Sequence, residues 1–466
     1  MTRGIVGLTI KSEKATSKGL APGPKLPLAK MLFGKGESEE QLEFLLSASR
    51  AYGSVVGFRW LNRRSLLLDH PDHIEYVLRT NNRNYLKSKN YEPVRLVVGE
   101  GLIVSEGDFW RRQRRLAQPA FHRKQIANLA SLMVAETEAM LGRWASSPRG
   151  RGEPFDLHRE IGSLTLKIVA KALFGADVGE GAVGRISEAQ TFLNGYVDSR
   201  MGALPKLPHQ VPTPNNVRYR RALKELDGIV YSLIDGRRRE GGGENLLSML
   251  LEARDQETGE GMGDAQLRDE AMTLLIAGNE TTAVALSWAW YLLSRHLEIN
   301  NRLQKELDAV LGGRAPTFED LPLLPYTTAV LKEAMRLYPP AWIFSRRPIE
   351  DDEIGGYRLP AGTTVLISPY VTHRNPEYWE EPETFNPERF EEEPSAGRPE
   401  FAYLPFGGGP RKCIGDRFAL VEGVLILAAV AQRYNLRLVQ GHKVAPEPLV
   451  TLRPKGGIQV FLEERD

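Results

Sequence analysis

The single cysteine of this 466-residue chain, Cys413, lies within the glycine-rich segment FGGGPRKCIG at residues 406–415. One cysteine cannot form an internal disulfide, so nothing points to an oxidising compartment. Hydrophobic residues make up 42% of the chain, which is sufficient for a large core. The formal net charge of +2 gives no reason to expect a nucleic acid partner.

The sequence contains no recognisable targeting or membrane-spanning segment. The polar, basic N-terminal stretch MTRGIVGLTIKSEKATSKGLAPGPK lacks the apolar run of a signal peptide. The apolar run VLILAAVA, which begins at Val424, is shorter than the roughly 20 residues that span a bilayer. We therefore expect a soluble, cytoplasmic protein with no integral membrane segment.

Strand patterns occur near both ends of the chain. The runs SVVGFRW and SLLLD predict a small sheet on the N-terminal side. The segment IGGYRLPAGTTVLISPY predicts a hairpin with a glycine-containing turn, and VTLRPKGGIQVFLEE predicts another.

Helical periodicity dominates the centre, from His122 to Tyr338. The proline-rich stretch ALPKLPHQVPTPNN at 203–216 separates two helical blocks. The longest helix is predicted to begin with Asp264 as its N-cap and to run to about His296. One helical face is formed by a set of apolar side chains, namely Leu223, Leu226, Ile229, Val230, Leu233 and Ile234.

These patterns predict a mainly α protein with small β-sheets, of the α+β class. No linker divides the chain, so we expect residues 1–466 to form a single domain, with residues 1–30 as an irregular lead-in.

The residues around Cys413 favour a thiolate. Arg411 and Lys412 supply positive charge, and the helical spacing of the following residues predicts that Cys413 lies at a helix N-terminus. Three glycines at 407–409 would let the backbone lie against something flat, and Phe406 could pack beside the sulfur. The segment therefore predicts a thiolate ligand under a planar cofactor.

Two other interpretations of Cys413 remain open at this point. It could be an ordinary buried cysteine, although the flanking glycines and cations argue against that. It could also be a nucleophile activated by histidine, but none of the eight histidines lies in a recognisable partner motif.

FGGGPRKCIG resembles the haem-binding loop of the cytochrome P450 family, Phe-x-x-Gly-x-Arg-x-Cys-x-Gly, with every defined position filled. The resemblance implies haem b, with Cys413 as the axial ligand of the iron and Phe406, Arg411 and Gly415 in the loop that binds it. It also implies the fold of that family, a triangular helical domain plus an N-terminal-side β region. Further family motifs follow in the expected order, so the resemblance covers nearly the whole chain.

The stretch AGNETTA, residues 277–283, lies inside the longest predicted helix. Gly278 weakens the helix there by about 1 kcal/mol, and threonines can bend it. Taken alone, the stretch is as well explained by a back-bonding Thr281 and a solvated Glu280. It is similar, however, to the helix over the haem in the family. The resemblance implies that Ala277 and Gly278 make room for dioxygen, with Ala277 among the cofactor-binding residues. It also implies that Thr281 holds a water or a hydroperoxide and that Glu280 relays protons from solvent.

KEAMRLYPP places Glu333 and Arg336 three residues apart on one helical face. By itself this spacing is typical of a surface ion pair. The resemblance to Glu-x-x-Arg implies instead a buried pair, joined by Arg389 of FNPERF, which braces the cysteine loop in a structural role.

The two haem propionates require cationic or N–H donors. DFWRRQRR is similar to the family's Trp-x-x-x-Arg helix, which implies Trp110 and Arg114. The segment after Pro340 implies Arg346, with Arg347 as the alternative, and Arg411 is the fourth donor. A run such as WRRQRR could also be only a solvated basic face, and that face could dock an acidic electron-transfer partner.

The resemblance as a whole implies a monooxygenase. It would insert one atom of O2 into an apolar small molecule such as a fatty acid, terpenoid, steroid or polyketide. Its electrons would come from NAD(P)H through a reductase and a ferredoxin or flavodoxin-type donor. The competing hypotheses are a peroxide-driven hydroxylase or isomerase on the same fold, and a haem carrier or gas sensor.

The substrate pocket is implied to involve several segments, mostly apolar. They are Tyr91 to Ile103, Leu193 to Leu204, the helix around Ala277, Ala341 to Phe344, and Val450.

Overall fold

The computed structural model describes residues 19–24, 38–60, 63–146, 152–175, 180–201, 207–241, 243, 245–391 and 397–465. Most of the predicted lead-in at 1–30 and part of the linker at 203–216 lie outside these residues. The chain separates into two compact units, each discontinuous in sequence. We call residues 1–88, 342–382 and 398–412 the sheet unit, and residues 89–341, 383–397 and 413–466 the helical unit. That residues 1–466 form one domain stays a prediction.

The helices within the described residues are α1 Ser38–Tyr52, α2 Pro71–Glu75, α3 Glu92–Val98, α4 Gly107–Ala117, α5 Arg123–Ser146, α6 Leu157–Phe174, α7 Glu180–Met201, α8 Pro214–Glu240, α9 Leu246–Glu252, α10 Asp264–Leu293, α11 Leu297–Leu311, α12 Pro325–Leu337, α13 Pro369–Thr372 and α14 Asp416–Ala431. The strands are β1 Val55–Trp60, β2 Arg63–Leu68, β3 Tyr85–Lys87, β4 Phe155–Asp156, β5 Phe344–Pro348, β6 Asp352–Ile354, β7 Tyr357–Leu359, β8 Thr364–Ile367, β9 Tyr434–Leu438, β10 Pro446–Pro448, β11 Leu452–Pro454 and β12 Gln459–Glu464. Short 3₁₀ helices occur at Asn82–Asn84, Lys89–Tyr91, Gln118–Phe121, Phe318–Leu323, Pro387–Phe390, Glu400–Ala402 and Gly409–Arg411, and a π-helical turn at Tyr76–Thr80. The prediction of a mainly α protein with small β-sheets is confirmed.

The sheet unit contains a five-stranded sheet with the order β1-β2-β8-β5-β3. β1 and β2 form the antiparallel hairpin predicted from SVVGFRW and SLLLD, with Val55 opposite Leu68. β2 and β8 are parallel, and β6 and β7 form a separate two-stranded ribbon. The sheet packs over a core of aliphatic and aromatic side chains from α2 and from the segment before the cysteine loop, including Ile74, Phe401 and Leu404.

Two hairpin predictions need correction because the strands pair elsewhere. The segment IGGYRLPAGTTVLISPY folds back only at Gly355 and Gly356, between β6 and β7, and its second half is β8 of the larger sheet. VTLRPKGGIQVFLEE does not form a hairpin. β11 pairs with β10, and β12 pairs with β4 and β9. Sequence spacing alone could not identify these distant partners.

The helical unit is built around α10 and α14, whose apolar residues are buried on nearly every side. A helix that is hydrophobic all round is typical of the centre of a large core. α8 shows the predicted one-sided pattern, with Leu226, Val230 and Ile234 buried. Among the described residues, no helix combines the length and apolar character needed to cross a membrane.

The prediction for the start of α10 is wrong by one residue. Gly263 is the N-cap, and Asp264 is the first helical residue. The Asp264 side chain forms an ion pair with Arg238 of α8 instead of capping the helix. The helix ends at Leu293, three residues before the predicted limit.

Candidate active site

Cys413 lies exposed in the short segment that leads into α14, two residues before the N-cap Gly415. The prediction of a helix N-terminus at this cysteine is therefore confirmed. Arg114 of α4 lies close enough to interact with it electrostatically. Burial lowers the pKa of the Arg114 guanidinium, and the negative charges of Cys413 and Asp416 act in the opposite direction. Within the helical unit, a cation thus faces the region of the thiol.

The arginines of α4 differ in what they contact. Arg111 pairs with Asp108 at the surface, and Arg115 binds Asp255, with 3.0 Å between its Nη2 and the carboxylate. Arg114 lies one helical turn after the buried Trp110, as the Trp-x-x-x-Arg spacing predicts. The run WRRQRR is therefore not simply a solvated basic face, because its members have separate positions and partners.

Two glycines of the cysteine loop are required by the protein's own packing within the sheet unit. Gly409 has φ +66°, and a Cβ there would lie 1.8 Å from the Leu78 carbonyl oxygen. A Cβ on Gly408 would lie 2.4 Å from the Phe401 ring. The sequence suggested that these glycines make room for a planar group. The structure gives a second reason, which is close contact between the loop and the segment at Leu78.

Phe406, Arg411 and Arg346 belong to the sheet unit, and their contact with a cofactor stays a prediction. Arg346 is buried, and its Nη1 donates to the Ser345 carbonyl at 3.0 Å. Its neighbour Arg347 is half-buried and donates from Nε to the Lys87 carbonyl at 3.2 Å. Arg346 and Arg347 are adjacent in β5, so their side chains point to opposite faces of the sheet. A single propionate on one of these faces could therefore be bound by only one of the two arginines.

The middle of α10 is less enclosed than the turns on either side of it. Residues 276–281 are half-buried, whereas residues 271–275 and 282–290 are buried. Thr281 Oγ1 donates to the Ala277 carbonyl at 2.7 Å. A Cβ on Gly278 would lie 2.8 Å from Val169 Cγ2, so this glycine allows α6 to approach. Ala277 and Thr281 are therefore both half-buried on this turn of α10.

Glu280 is bound by two neutral donors from other elements. Asn194 Nδ2 of α7 donates to one carboxylate oxygen, and Thr451 Oγ1 donates to the other at 2.7 Å. This excludes the interpretation of Glu280 as a solvated surface charge. Asp198, one turn further along α7, accepts from the Val450 N–H at 2.8 Å. Burial raises the pKa of Asp198 to about 6, and the nearby charge of Glu280 contributes in the same direction.

Asn279 of α10 forms hydrogen bonds with α6 and α7. Its Oδ1 accepts from Thr165 Oγ1 at 2.8 Å, and its Nδ2 donates to Gln190 at 3.1 Å. Sequence analysis missed Asn194, Thr451, Thr165 and Gln190. These residues come from three separate elements, and no local spacing links them to the AGNETTA stretch.

Glu333 and Arg336 form a completely buried pair, with Arg336 Nε 2.7 Å and Nη2 2.8 Å from the carboxylate oxygens. Arg389 Nε lies 3.5 Å from the same carboxylate, and the Asn386 N–H donates to it at 2.9 Å. Arg336 also donates to the Thr384 carbonyl. The surface-pair interpretation is excluded, and the three residues meet as the resemblance implies. That they brace the cysteine loop stays a prediction.

The segments expected around the substrate include exposed apolar side chains. Ile103 and Val450 are each 37% exposed, and Met201 is 38% exposed. The part of Leu193–Leu204 from residue 202 onwards lies outside the described residues. Asp198 and Asn194 place polar groups among these mostly apolar segments.

The residues present fit a haem group. The helical unit combines an exposed thiol at a helix start, a half-buried guanidinium near it, and a helix with a half-buried turn that carries a small residue and a hydroxyl. A thiolate suits iron, and the guanidinium suits a carboxylate. The Thr281 hydroxyl donates a hydrogen bond to the Ala277 carbonyl, and its oxygen can still accept a further hydrogen bond.

Comparison with known proteins identifies the family. The Cytochrome P450 family profile matches residues 21–461. The chain is 41% identical to cyclooctatin synthase of Streptomyces melanosporofaciens over 455 residues, covering 96% of this chain and 95% of that protein. It is 38% identical to cyclooctat-9-en-7-ol 5-monooxygenase of the same organism, covering 92% of each. It is 37% identical to pentalenene oxygenase of Streptomyces avermitilis, covering 88% of this chain and 90% of that protein.

These similarities extend over almost the whole chain and agree with the arrangement of the cysteine segment, the α10 turn and the buried Glu333–Arg336 pair. Members of the family use a haem iron cofactor, electron-donating partners and apolar substrates. The chain therefore belongs to the cytochrome P450 family and is a haem-dependent monooxygenase.

Proposed function

We propose that this protein binds haem b through Cys413 and oxidises a cyclic terpenoid. Cys413 would bind the iron, and Trp110, Arg114, Arg346 and Arg411 would bind the propionates. The position of the half-buried Arg114 near Cys413 supports this assignment, because a partly desolvated guanidinium favours an anionic partner. Thiolate-ligated haem supplies the chemistry that cleaves the O–O bond.

Proton delivery is assigned to Glu280 and Thr281. The Glu280 carboxylate is held by two neutral donors, so it can gain and lose a proton without breaking an ion pair. Because Thr281 Oγ1 donates to the Ala277 carbonyl, its oxygen can also accept a hydrogen bond and would orient a water molecule. Per turnover, one oxygen atom enters a C–H or C=C bond. The other oxygen atom would leave as water, with two electrons from NAD(P)H, one proton from NAD(P)H and one from solvent.

The relatives support a terpenoid substrate. The names cyclooctat-9-en-7-ol 5-monooxygenase and pentalenene oxygenase denote oxidation of cyclic terpene skeletons. The partly open turn at Ala277 and the exposed Ile103 and Val450 are compatible with a bulky apolar molecule. Electrons would come from a ferredoxin or flavodoxin-type donor with its NAD(P)H reductase.

A spectral titration tests the substrate assignment. Purified holoenzyme is titrated with cyclic diterpenes and sesquiterpenes, as hydrocarbons and as alcohols, and with fatty acids of matched carbon number. We expect the Soret band to shift with a cyclic terpenoid at lower concentration than with any fatty acid. Tighter binding of the fatty acids would reject the terpenoid assignment.

A second assay separates the monooxygenase from its competitors. With the best ligand, turnover is measured with NAD(P)H, reductase and ferredoxin or flavodoxin, and in parallel with hydrogen peroxide alone. We expect product only with the electron-transfer partners. Product with peroxide alone would favour the peroxide-driven enzyme, and ligand binding without product would favour a sensor.

A further inference from the structure

Residues 99–102, which we call the GEGL loop, are bound to α10 through their backbone N–H groups. The Glu100 N–H donates to Asp269 Oδ2 at 2.8 Å, and the Leu102 N–H donates to Glu270 Oε2 at 3.0 Å. The two acceptors are consecutive residues in the second turn of α10. Hydrogen bonds from backbone N–H groups to carboxylates are stronger than those between neutral groups, so this pair of contacts fixes the loop closely.

Glycine lets the GEGL loop lie directly against the helix. Gly101 is buried, and a Cβ there would lie 2.0 Å from Thr273 Oγ1 and 2.7 Å from the Asp269 carbonyl oxygen. A larger residue would push the loop away from α10, because the helix backbone cannot give way. Gly99, with φ +57°, allows the chain to turn from the end of α3 into the loop. The close contact therefore depends on the loop's own sequence as well as on the carboxylates of α10.

Glu270 is completely buried in the helical unit. Its second oxygen, Oε1, accepts from Gln266 Nε2 at 2.6 Å, one turn earlier in the same helix. Both carboxyl oxygens thus have a donor, one from α10 itself and one from the GEGL loop. Because burial of a polar group is costly unless it is hydrogen-bonded, the Leu102 N–H and the Glu270 side chain hold each other in place.

Asp269 extends these contacts to α8. Its Oδ1 lies 2.9 Å from Arg268 Nη1, and Arg268 Nε lies 2.7 Å from Asp227 Oδ1 of α8. Arg268 is buried, so its ion pairs are only weakly screened by salt. A further hydrogen bond joins α8 to α3, because the Tyr219 hydroxyl donates to the Leu96 carbonyl at 2.6 Å. The GEGL loop, α3 and α8 are therefore held by one connected set of polar contacts.

The GEGL loop lies on the face of α10 that carries Ala277. Thr273, which meets Gly101, precedes Ala277 by four residues, so the two side chains lie on the same face of the helix. Ile103, the residue after the loop, is 37% exposed and belongs to a segment expected around the substrate. A shift of the loop would therefore move Ile103 relative to Ala277.

We propose that Glu270 and Asp269 are positioning residues that hold the GEGL loop against α10 and thereby limit the size of the substrate that the site accepts. The inference rests on the proposed function, in which the substrate lies beside Ile103 and Ala277. While both hydrogen bonds are made, the loop stays against the helix and larger molecules are rejected. Without them the loop can withdraw, and discrimination by size is weakened.

Amide hydrogen exchange of the ligand-free holoenzyme tests the contact without reference to activity. Glu270→Ala and Gly101→Ala should each accelerate exchange in a peptide covering residues 99–104 by about tenfold or more, because the loop then opens more often. Glu270→Gln keeps a carbonyl acceptor for the Leu102 N–H and should stay within about threefold of the wild type. Exchange in Glu270→Ala as slow as in the wild type overturns the inference, whether or not the enzyme turns over.

Iron ligands of graded size test the consequence without reference to the natural substrate. Imidazoles that carry a phenyl or a biphenyl substituent bind haem iron through nitrogen, and the Soret band reports their dissociation constants. Relative to the phenyl ligand, the biphenyl ligand should bind about fivefold tighter or more in Glu270→Ala, Asp269→Ala and Gly101→Ala than in the wild type. Glu270→Gln should change this ratio by less than about twofold, and unsubstituted imidazole should bind all variants alike.

Glu306→Ala is the matched control. Glu306 of α11 also accepts from backbone N–H groups, those of Tyr326 and Thr327, at 2.7 and 2.8 Å. Its removal should lower the melting temperature and leave the biphenyl-to-phenyl ratio within about twofold of the wild type.

The outcomes separate the two proposals. If the ratio is unchanged in Glu270→Ala and Gly101→Ala, or if Glu306→Ala changes it equally, the carboxylates have no positioning role. If Glu270→Ala fails to fold, Gly101→Ala and Asp269→Ala still decide the question. A relaxed size limit in these variants, in an enzyme that binds no terpenoid, contradicts only the proposed function.

Discussion

Glu280 and Glu333 are two carboxylates of the helical unit, and their surroundings differ in a way that separates catalysis from structure. Glu333 is completely buried and bound to Arg336 and Arg389. Glu280 is half-buried and held by the neutral donors Asn194 and Thr451. The donors around Glu333 are two cations, whereas those around Glu280 carry no charge. We therefore propose that Glu333 stabilises the fold and that Glu280 serves the proposed proton relay.

The largest expected effect comes from breaking the buried pair. Arg336→Ala leaves the Glu333 carboxylate buried with incomplete compensation, which should lower the free energy of unfolding by about 3–5 kcal/mol. Urea denaturation measures this. Arg111→Ala removes one member of an exposed pair with the same i,i+3 spacing and should change the free energy by less than about 1 kcal/mol. Equal effects of the two substitutions would contradict the structural assignment of Glu333.

Glu280→Gln should lower turnover and leave the free energy of unfolding almost unchanged. Glutamine keeps the size of the side chain and its carbonyl acceptor, so the free energy of unfolding should remain within about 1 kcal/mol of the wild type. NAD(P)H-coupled product formation should fall by about 10²-fold, because a general acid is lost. Steady-state turnover and urea denaturation are measured on the same preparations. Unchanged turnover would remove Glu280 from the relay.

Asp198 gives a smaller effect that depends on pH. Its folded-state pKa of about 6 lies above the ordinary value of 3.8, so the folded protein binds more protons than the unfolded chain between these values. The wild type therefore loses stability as the pH rises from 4 to 6. Asp198→Asn lacks this loss and should exceed the wild type by about 1 kcal/mol above pH 6, after allowance for partial exposure. Below pH 4 the two should unfold alike, and a constant difference at all pH values would contradict this.

Asn194→Ala should produce the smallest change. It removes one of two hydrogen bonds to Glu280, and the half-buried carboxylate can find water instead. We expect turnover to change by less than about fivefold. A loss as large as that of Glu280→Gln would mean that Asn194 itself takes part in proton transfer.

Sequence reasoning was most successful where function is encoded in short contiguous motifs. Cys413 before a helix, the Trp110–Arg114 turn and the Glu333–Arg336 pair each lie within a few residues of one another. Because the residues of each motif are close in sequence, their spacing on one helix or at a helix start already determines how they are arranged. The mainly helical class could be predicted for the same reason, since helical periodicity is local.

Contacts between distant segments could not be predicted. β12 pairs with β4, which lies some 300 residues earlier in the chain, and Glu280 is held by residues from α7 and from the turn before β11.

The central claim is that the sulfur of Cys413 binds iron. The absorption spectrum of the reduced, carbon monoxide-bound holoenzyme tests it most directly, with Cys413→Ala as the control. We predict the long-wavelength Soret band of thiolate-ligated haem in the wild type and its absence in the variant. A spectrum typical of histidine-ligated haem, or the same band in Cys413→Ala, would contradict the account.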